Sequence, residues 1–308
     1  MDKNGIPGLA LAVLDDKKTL YETYIGVASL KTKKKVDENT LFRVYSTTKI
    51  ITATAIFQLV QQGKIKLEDE ISLYLSGLPG SWKRVKIDQL LAHASGLPDY
   101  ISFDYQEADS VIWNKLFELE LEFQPGEKAA YNQTGYWLLA NIISEVTGNE
   151  FDEYILDTQF KRGDKVLFSS KYSDKIIDRS DLHYFNPESK EIEVVTPNAG
   201  DRSFSANGLN LNLSAFIEWS QRFDANEIIN TESKRKMWSP YPYISKEEGF
   251  LYGWGKYDGS VGFTGSGVCG YRKFTDDNMT IILLSNGFKE SPVHNEIIDE
   301  ARRIMLLK

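Results

Sequence analysis

Residues 42–75 read FRVYSTTKIITATAIFQLVQQGKIKLEDEISLYL, a polar entry at Ser46, Thr47, Thr48 and Lys49 followed by a long apolar segment. The pattern predicts a helix over residues 46–62 that stops at Gly63, because glycine readily takes the left-handed backbone that follows a helix. Ile50, Ile51, Ala53, Ala55, Phe57, Leu59 and Val60 make this helix apolar on most faces, so it is expected to be buried with its polar residues at the ends. Residues three apart share a helix face, which lets Ser46 Oγ and Lys49 Nζ meet. Serine is a preferred N-cap, and capping is one reading of Ser46. The other is chemical. A capping box has Glu or Gln where this helix has Lys49, a cation at the positive end of the helix dipole. Burial and the dipole both favour the neutral amine, and a neutral lysine beside a serine hydroxyl is a general base next to its nucleophile.

Sheet is expected on both sides of this helix. Residues 8–14 and 19–28 are apolar or alternating runs joined by Asp15, Asp16, Lys17 and Lys18, a strand hairpin, and a short strand follows at residues 41–44. Helical signals occupy residues 87–93, 109–119, 134–146 (ended by Gly148) and 151–160, then 213–223 and 231–237. Residues 161–200 show no clear period and are read without regular structure. Residues 250–286 read as three or four short strands with glycine turns, and a helix closes the chain from Pro292. The predicted class is α/β (α+β): an antiparallel sheet built from both termini and flanked by helices, with an inserted helical subdomain. Residues 1–45 and 200–308 would form the α/β part, residues 46–199 the mainly helical part, and the active site would lie between them.

Composition narrows the function. The chain has 308 residues, 42% apolar and 26% charged, as in ordinary globular proteins. Its net charge of −8 argues against a sequence-independent grip on nucleic acid. The apolar stretch 6–14 is too short for a membrane span and lacks a cationic leader, so neither an integral membrane segment nor a signal peptide is read there. A single cysteine, Cys269, rules out an internal disulfide and reads as a packed residue, with a reactive thiol as the alternative. Residues 265–270, GSGVCG, fit G-x-G-x-x-G, but no helix follows, so a dinucleotide site is rejected. His93, His183 and His294 have no metal-ligand spacing, and no H-E-x-x-H or G-x-S-x-G occurs. His93 reads as a structural loop residue, and the run KTKKK at 31–35 as a solvated turn. No metal and no cofactor are expected.

Four segments together resemble the serine β-lactamase and penicillin-binding superfamily, in its class C β-lactamase, D-alanyl-D-alanine carboxypeptidase and family VIII esterase branch. Residues 42–75 look like its nucleophile helix, residues 90–100 (LLAHASGLPDY) like its next signature, residues 123–148 (FQPGEKAAYNQTGYWLLANIISEVTG) like its tyrosine region, and residues 252–270 like its third catalytic strand. The match covers most of residues 5–290. It implies Ser46 as nucleophile, Lys49 as its base partner and Tyr131 as the hydroxyl that shares proton transfer with Lys49. A tyrosine beside an ammonium can have a lowered pKa and shuttle a proton. Phe263, Thr264, Gly265 and Ser266 resemble the third motif, normally Lys or His before Thr-Gly, and the N–H groups of Ser46 and Ser266 would form the oxyanion hole.

Two departures stand out. Phe263 replaces the cation, and Gln133 stands where the tyrosine motif usually has Asn, keeping an amide for the substrate-carbonyl side. Loss of the cation weighs against β-lactam or carboxypeptidase turnover and affects ester cleavage less. The implied function is a serine hydrolase acting through an acyl-enzyme on small esters, amides or D-amino peptides. The alternative is a non-catalytic or slowly turning over penicillin-binding-like module that recognises cell-wall peptide. Tyr100, Trp113 and Trp254 read equally as lining the acyl pocket or as core. A monomer is expected, with a small-molecule substrate as its partner. The resemblance further implies a periplasmic or secreted location and an N-terminus shortened relative to the family.

Overall fold

In the first strand, GLALAVLD, six apolar residues run without a polar break because both faces of the strand are covered. Leu9, Leu11 and Val13 point into one apolar core and Ala10, Ala12 and Leu14 into another, the two-residue period of a strand buried on both sides. The computed structural model describes residues 5–246, 248–288 and 293–307.

The elements run in the order β1 (Gly8–Asp15), β2 (Thr19–Gly26), β3 (Phe42–Arg43), α1 (Thr48–Gln61), α2 (Ile87–Leu91), α3 (Asp109–Phe117), α4 (Thr134–Thr147) and α5 (Phe151–Gln159). Then come β4 (Val166–Phe168), β5 (Leu182–Phe185), β6 (Ile192–Val195), α6 (Phe204–Asn207), β7 (Leu209–Leu211), α7 (Leu213–Asp224) and α8 (Thr231–Met237). The chain returns to sheet with β8 (Gly255–Tyr257), β9 (Ser260–Gly265), β10 (Cys269–Phe274), β11 (Met279–Ser285) and β12 (Gly287–Phe288), before α9 (His294–Leu306).

The main sheet has six strands in the order β2-β1-β11-β10-β9-β8, all neighbours antiparallel. Its centre joins the two ends of the chain, with Leu9 opposite Ser285 and Asp15 opposite Met279. Helix α9 covers one face through Ile298, closing the smaller core of Ile6, Leu9, Leu11, Val13, Met279, Ile281 and Leu283. The other face meets the helices. Helix α1 lies at the centre of that layer, in contact with α4, α5, α6, α8 and β9, and every residue from Thr48 to Leu59 is buried. The all-round apolarity of its sequence therefore reflects a helix packed on all sides.

Residues 161–200, read as unstructured, contain β4, β5 and β6. Each is three or four residues long, and β4 and β5 find partners far away in sequence, β7 and β12 respectively. Helix α2 ends at Leu91, before His93, which has φ of +55° and cannot continue a right-handed helix. The closing helix begins at His294; Pro292, its expected start, lies outside the described residues.

Candidate active site

The chain enters α1 through a 3-10 turn, Tyr45–Thr47, so the helix proper starts at Thr48, two residues later than its sequence pattern predicts. Thr47 occupies the N-cap position and makes no side-chain cap. Ser46 does not cap the helix either. Its hydroxyl donates to Asn207 Oδ1 (3.0 Å) and accepts from the Tyr131 hydroxyl (2.7 Å) and from Lys49 Nζ (3.4 Å). Tyr45, just before it, holds φ of +46°, a backbone that a bulky L-residue adopts only under strain.

Lys49 is carried inward on α1 and has no exposed surface. Its three donors go to neutral acceptors: Gln133 Oε1 (2.7 Å), the Ala206 carbonyl (3.2 Å) and Ser46 Oγ. Aromatic rings complete the enclosure, with Nζ 4.9 Å from the centre of Tyr131, 5.1 Å from Tyr136 and 5.9 Å from Phe263. Burial pushes the Lys49 pKa down, against the opposing pull of Tyr131 and Asp99. The Tyr131 ring is 40% exposed, but its hydroxyl faces inward. Burial would raise that hydroxyl's pKa, yet the charge of Lys49, with the polar side chains of Ser46 and Gln133 close by, brings it below the ordinary tyrosine value. Amine and phenol are thus drawn toward each other in proton affinity, which suits a proton shared between them.

The loop bearing Tyr131 is pinned by buried groups. His93 accepts from the Asn132 N–H through Nδ1 (3.1 Å), and its carbonyl accepts from the Ala130 N–H (2.9 Å). The His93 ring lies 4.6 Å from the Tyr131 ring, and burial with nearby Lys49 holds its pKa well below the usual range, so it stays neutral. Asp99 accepts from the Gln133 N–H (3.0 Å) and so fixes the amide that meets Lys49.

Strand β9 forms the opposite wall. Gly265 packs directly on the turn that carries Ser46: a Cβ there would stand 2.0 Å from the Val44 carbonyl oxygen and 3.1 Å from Thr47 Oγ1. The approach brings Ser266 beside Ser46, with Ser266 at φ of +47° in the turn that leaves the strand. Among the described residues, no hydrogen bond of the fold uses the N–H of Ser46 or of Ser266. Thr264 accepts from Arg272 Nη2 (2.6 Å), a guanidinium that also donates to Asn295 Oδ1 (2.8 Å). Phe263 stacks on Phe250, with ring centres 6.2 Å apart and planes 14° from parallel.

Between these walls lies a cleft of about 650 Å³ reached by Ser46, Tyr131, Gln133, Asn207, Phe263, Thr264 and Ser266. Two guanidiniums line it, and both are engaged by protein acceptors. Arg43 donates to the carbonyls of Asn207 (2.9 Å) and Ser170 (3.1 Å). Arg202 pairs with Asp109 and donates to the carbonyls of Glu107 (3.0 Å) and Tyr105 (2.8 Å). Of the three aromatics read as pocket or core, only Tyr100 lines the cleft. Trp254 is fully buried against Phe223, Trp238 and Tyr271, and Trp113 packs with Trp82, Phe117 and Trp137 away from Ser46. Tyr45, Phe103, Tyr105 and Phe250 line the cleft instead. Cys269 is wholly buried, and burial pushes its thiol up to about 12, which makes it a packed residue and not a reactive one. Asn207 was not among the sequence candidates. It meets Ser46 across 161 residues of chain, and its surroundings, SFSANGL, carry no spacing signal.

A family model described as Beta-lactamase matches residues 1–304. Penicillin-binding protein 4* of Bacillus subtilis (strain 168) is 25% identical over 334 residues, covering 99% of this chain and 73% of the relative. Among solved structures, the D-amino acid amidase of Ochrobactrum anthropi SV3, complexed with L-phenylalanine amide, superposes with a TM-score of 0.80 at 20% identity, covering 98% of this chain and 93% of the other. EstCE1, a hydrolase with promiscuous acyltransferase activity, superposes at 0.75 with 16% identity, covering 92% of this chain and 90% of the other. At these identities the two structures are alike in fold.

Proposed function

The chain belongs to the Beta-lactamase family, and on that premise we propose that it is a serine hydrolase working through an acyl-enzyme on small esters and amides without a carboxylate, D-amino acid amides among them. One observation carries the reading: Ser46 Oγ sits 2.7 Å from a tyrosine hydroxyl and 3.4 Å from a lysine amine that is wholly buried and, among the described residues, pairs with no carboxylate. Burying a lysine beside neutral acceptors works against stability.

In the proposed reaction Ser46 Oγ attacks the carbonyl carbon, and its proton passes to Lys49, directly or through Tyr131. The oxyanion is held by the N–H groups of Ser46 and Ser266, donors fixed before the substrate arrives. Tyr131, beside Lys49, returns a proton to the leaving group, and water repeats the cycle on the acyl-enzyme with the same groups. The cleft's guanidiniums donate to protein carbonyls and to Asp109, and Phe263 supplies a ring where the related motif carries a cation, so a substrate carboxylate lacks the partner that motif would offer. Substrates without a carboxylate follow.

Hydrolysis of p-nitrophenyl esters and D-amino acid amides tests this. Ser46→Ala is expected to fall to the uncatalysed rate. Lys49→Arg, which cannot supply a neutral amine, should lose about 10²–10⁴ in kcat/KM. In the wild type kcat/KM should climb with pH as Lys49 loses its proton, with a midpoint below the ordinary lysine value of about 10.4. Equal rates for wild type and Ser46→Ala would defeat the proposal. Phe263 favours the second reading, a penicillin-binding-like module that acylates and then stalls; a stoichiometric burst without steady turnover would select it.

A further inference from the structure

Ser46 has a polar neighbour that the acyl-transfer scheme leaves unused. Asn207, the last residue of α6, is half-buried on the cleft wall, and its main-chain carbonyl is held by Arg43. The direction of each hydrogen bond around the nucleophile can be read outward from Lys49. That amine donates at 2.7 Å to the Gln133 side chain, so the Gln133 atom facing it is Oε1. The Asn207 atom 3.4 Å from the same oxygen must then be Nδ2, a donor. This leaves Oδ1, which only accepts, facing Ser46 at 3.0 Å. Ser46 therefore gives its proton to Asn207 and turns its lone pairs to Tyr131 and Lys49. Attack on a carbonyl needs the reverse polarity, with the serine proton aimed at the base.

We propose that Asn207 is a specificity-determining residue that keeps the Ser46 proton away from its base at rest and yields it when a substrate N–H beside the scissile carbonyl takes over Asn207 Oδ1. The inference rests on the acyl-transfer reading of Ser46 and names its substrate class: carbonyl compounds with an N–H donor on the carbon next to the carbonyl, as in N-acylated amino-acid esters, amides and peptides, ahead of plain acyl esters. In the first step the substrate N–H replaces Ser46 as donor to Oδ1, and the serine proton turns to the lone pair of neutral Lys49. The bond from Ser46 Oγ to the carbonyl carbon then forms as that proton transfers, and the carbonyl π pair moves onto the oxygen. Collapse of the tetrahedral intermediate breaks the bond to the leaving group, which takes the proton back through Tyr131 or Lys49.

The test compares two uncharged esters that differ in the donor, N-acetyl-D-alanine p-nitrophenyl ester and p-nitrophenyl butyrate, on wild type, Asn207→Ala and Asn207→Asp. With the latch removed, Asn207→Ala should cleave the butyrate about three- to tenfold faster, the factor carried by one neutral hydrogen bond, and lose its preference for the N-acetyl ester. Labelling of Ser46 by a dialkyl fluorophosphonate, which has no N–H, should accelerate by the same factor. Asn207→Asp keeps the acceptor, so its labelling should stay slow, and its carboxylate should move the pH midpoint of kcat/KM upward by favouring the Lys49 ammonium. Rates for the two esters that change in parallel in Asn207→Ala, or a pH midpoint unmoved in Asn207→Asp, would overturn the inference while leaving the hydrolase reading intact. Absence of any adduct on all three proteins would overturn both.

Discussion

Lys49 sits where two opposed effects meet. Burial favours its neutral form, and the faces of Tyr131, Tyr136 and Phe263 favour its charged form. A cation in place of Phe263 would have repelled the ammonium, so in this chain burial alone lowers the Lys49 pKa. In the proposed mechanism such a residue serves chemistry at the expense of the fold. Lys49→Met is accordingly expected to abolish activity and to raise stability by roughly 1–3 kcal/mol at pH 7, the scale of a buried polar group relieved. Because the folded-state pKa is depressed, the unfolded chain binds more protons between that value and the ordinary one near 10.4, so wild-type stability rises with pH across the window. The advantage of the Met variant should therefore shrink as thermal melts are moved from pH 7 toward pH 10; a constant gap would contradict it. At this scale Ser46 and Lys49 were legible, because spacing and an apolar helix place them together. Asn207 was not, since only the fold brings it to Ser46. Trp113 and Trp254 resolve as packing residues, one of the two readings the sequence left open for them, while Tyr100, itself buried, lines the cleft; position in the fold tells the readings apart.

At the scale of elements, the site depends on how closely β9 approaches the turn before α1. Two glycines separate this demand from ordinary backbone needs. Gly148 caps α4 with φ of +72° and open space around its Cβ position, so Gly148→Ala should cost about 1–2 kcal/mol and leave the reaction intact. Gly265→Ala would drive a methyl into the Val44 carbonyl and push the strand, with Ser266, away from Ser46. Loss of one oxyanion donor lowers kcat by about 10²–10³, and that is the effect expected for Gly265→Ala in single-turnover ester cleavage. Unchanged cleavage by that variant would mean that Ser266 takes no part. The long helices and the paired strands at both ends were readable from periodicity. The strands within residues 161–200 were not, because segments of three or four residues show too few alternations, and β5 pairs in parallel with β12 about a hundred residues on.

For the molecule as a whole, pairing of β1 with β11 closes the chain on itself, and the two cores on either side of that sheet fix where β9 and α1 meet. Strand runs at both ends with helices between them predicted this union. What the cleft selects follows from charge as much as shape: its guanidiniums are engaged by the protein, and the chain carries a net −8. The central claim is that this framework exists to activate Ser46. Intact-protein mass after incubation with a fluorophosphonate, run beside Ser46→Ala, tests it without assuming a substrate. The account predicts one adduct on the wild type and none on the variant; no adduct on the folded wild type, or an adduct that survives the substitution, would contradict it.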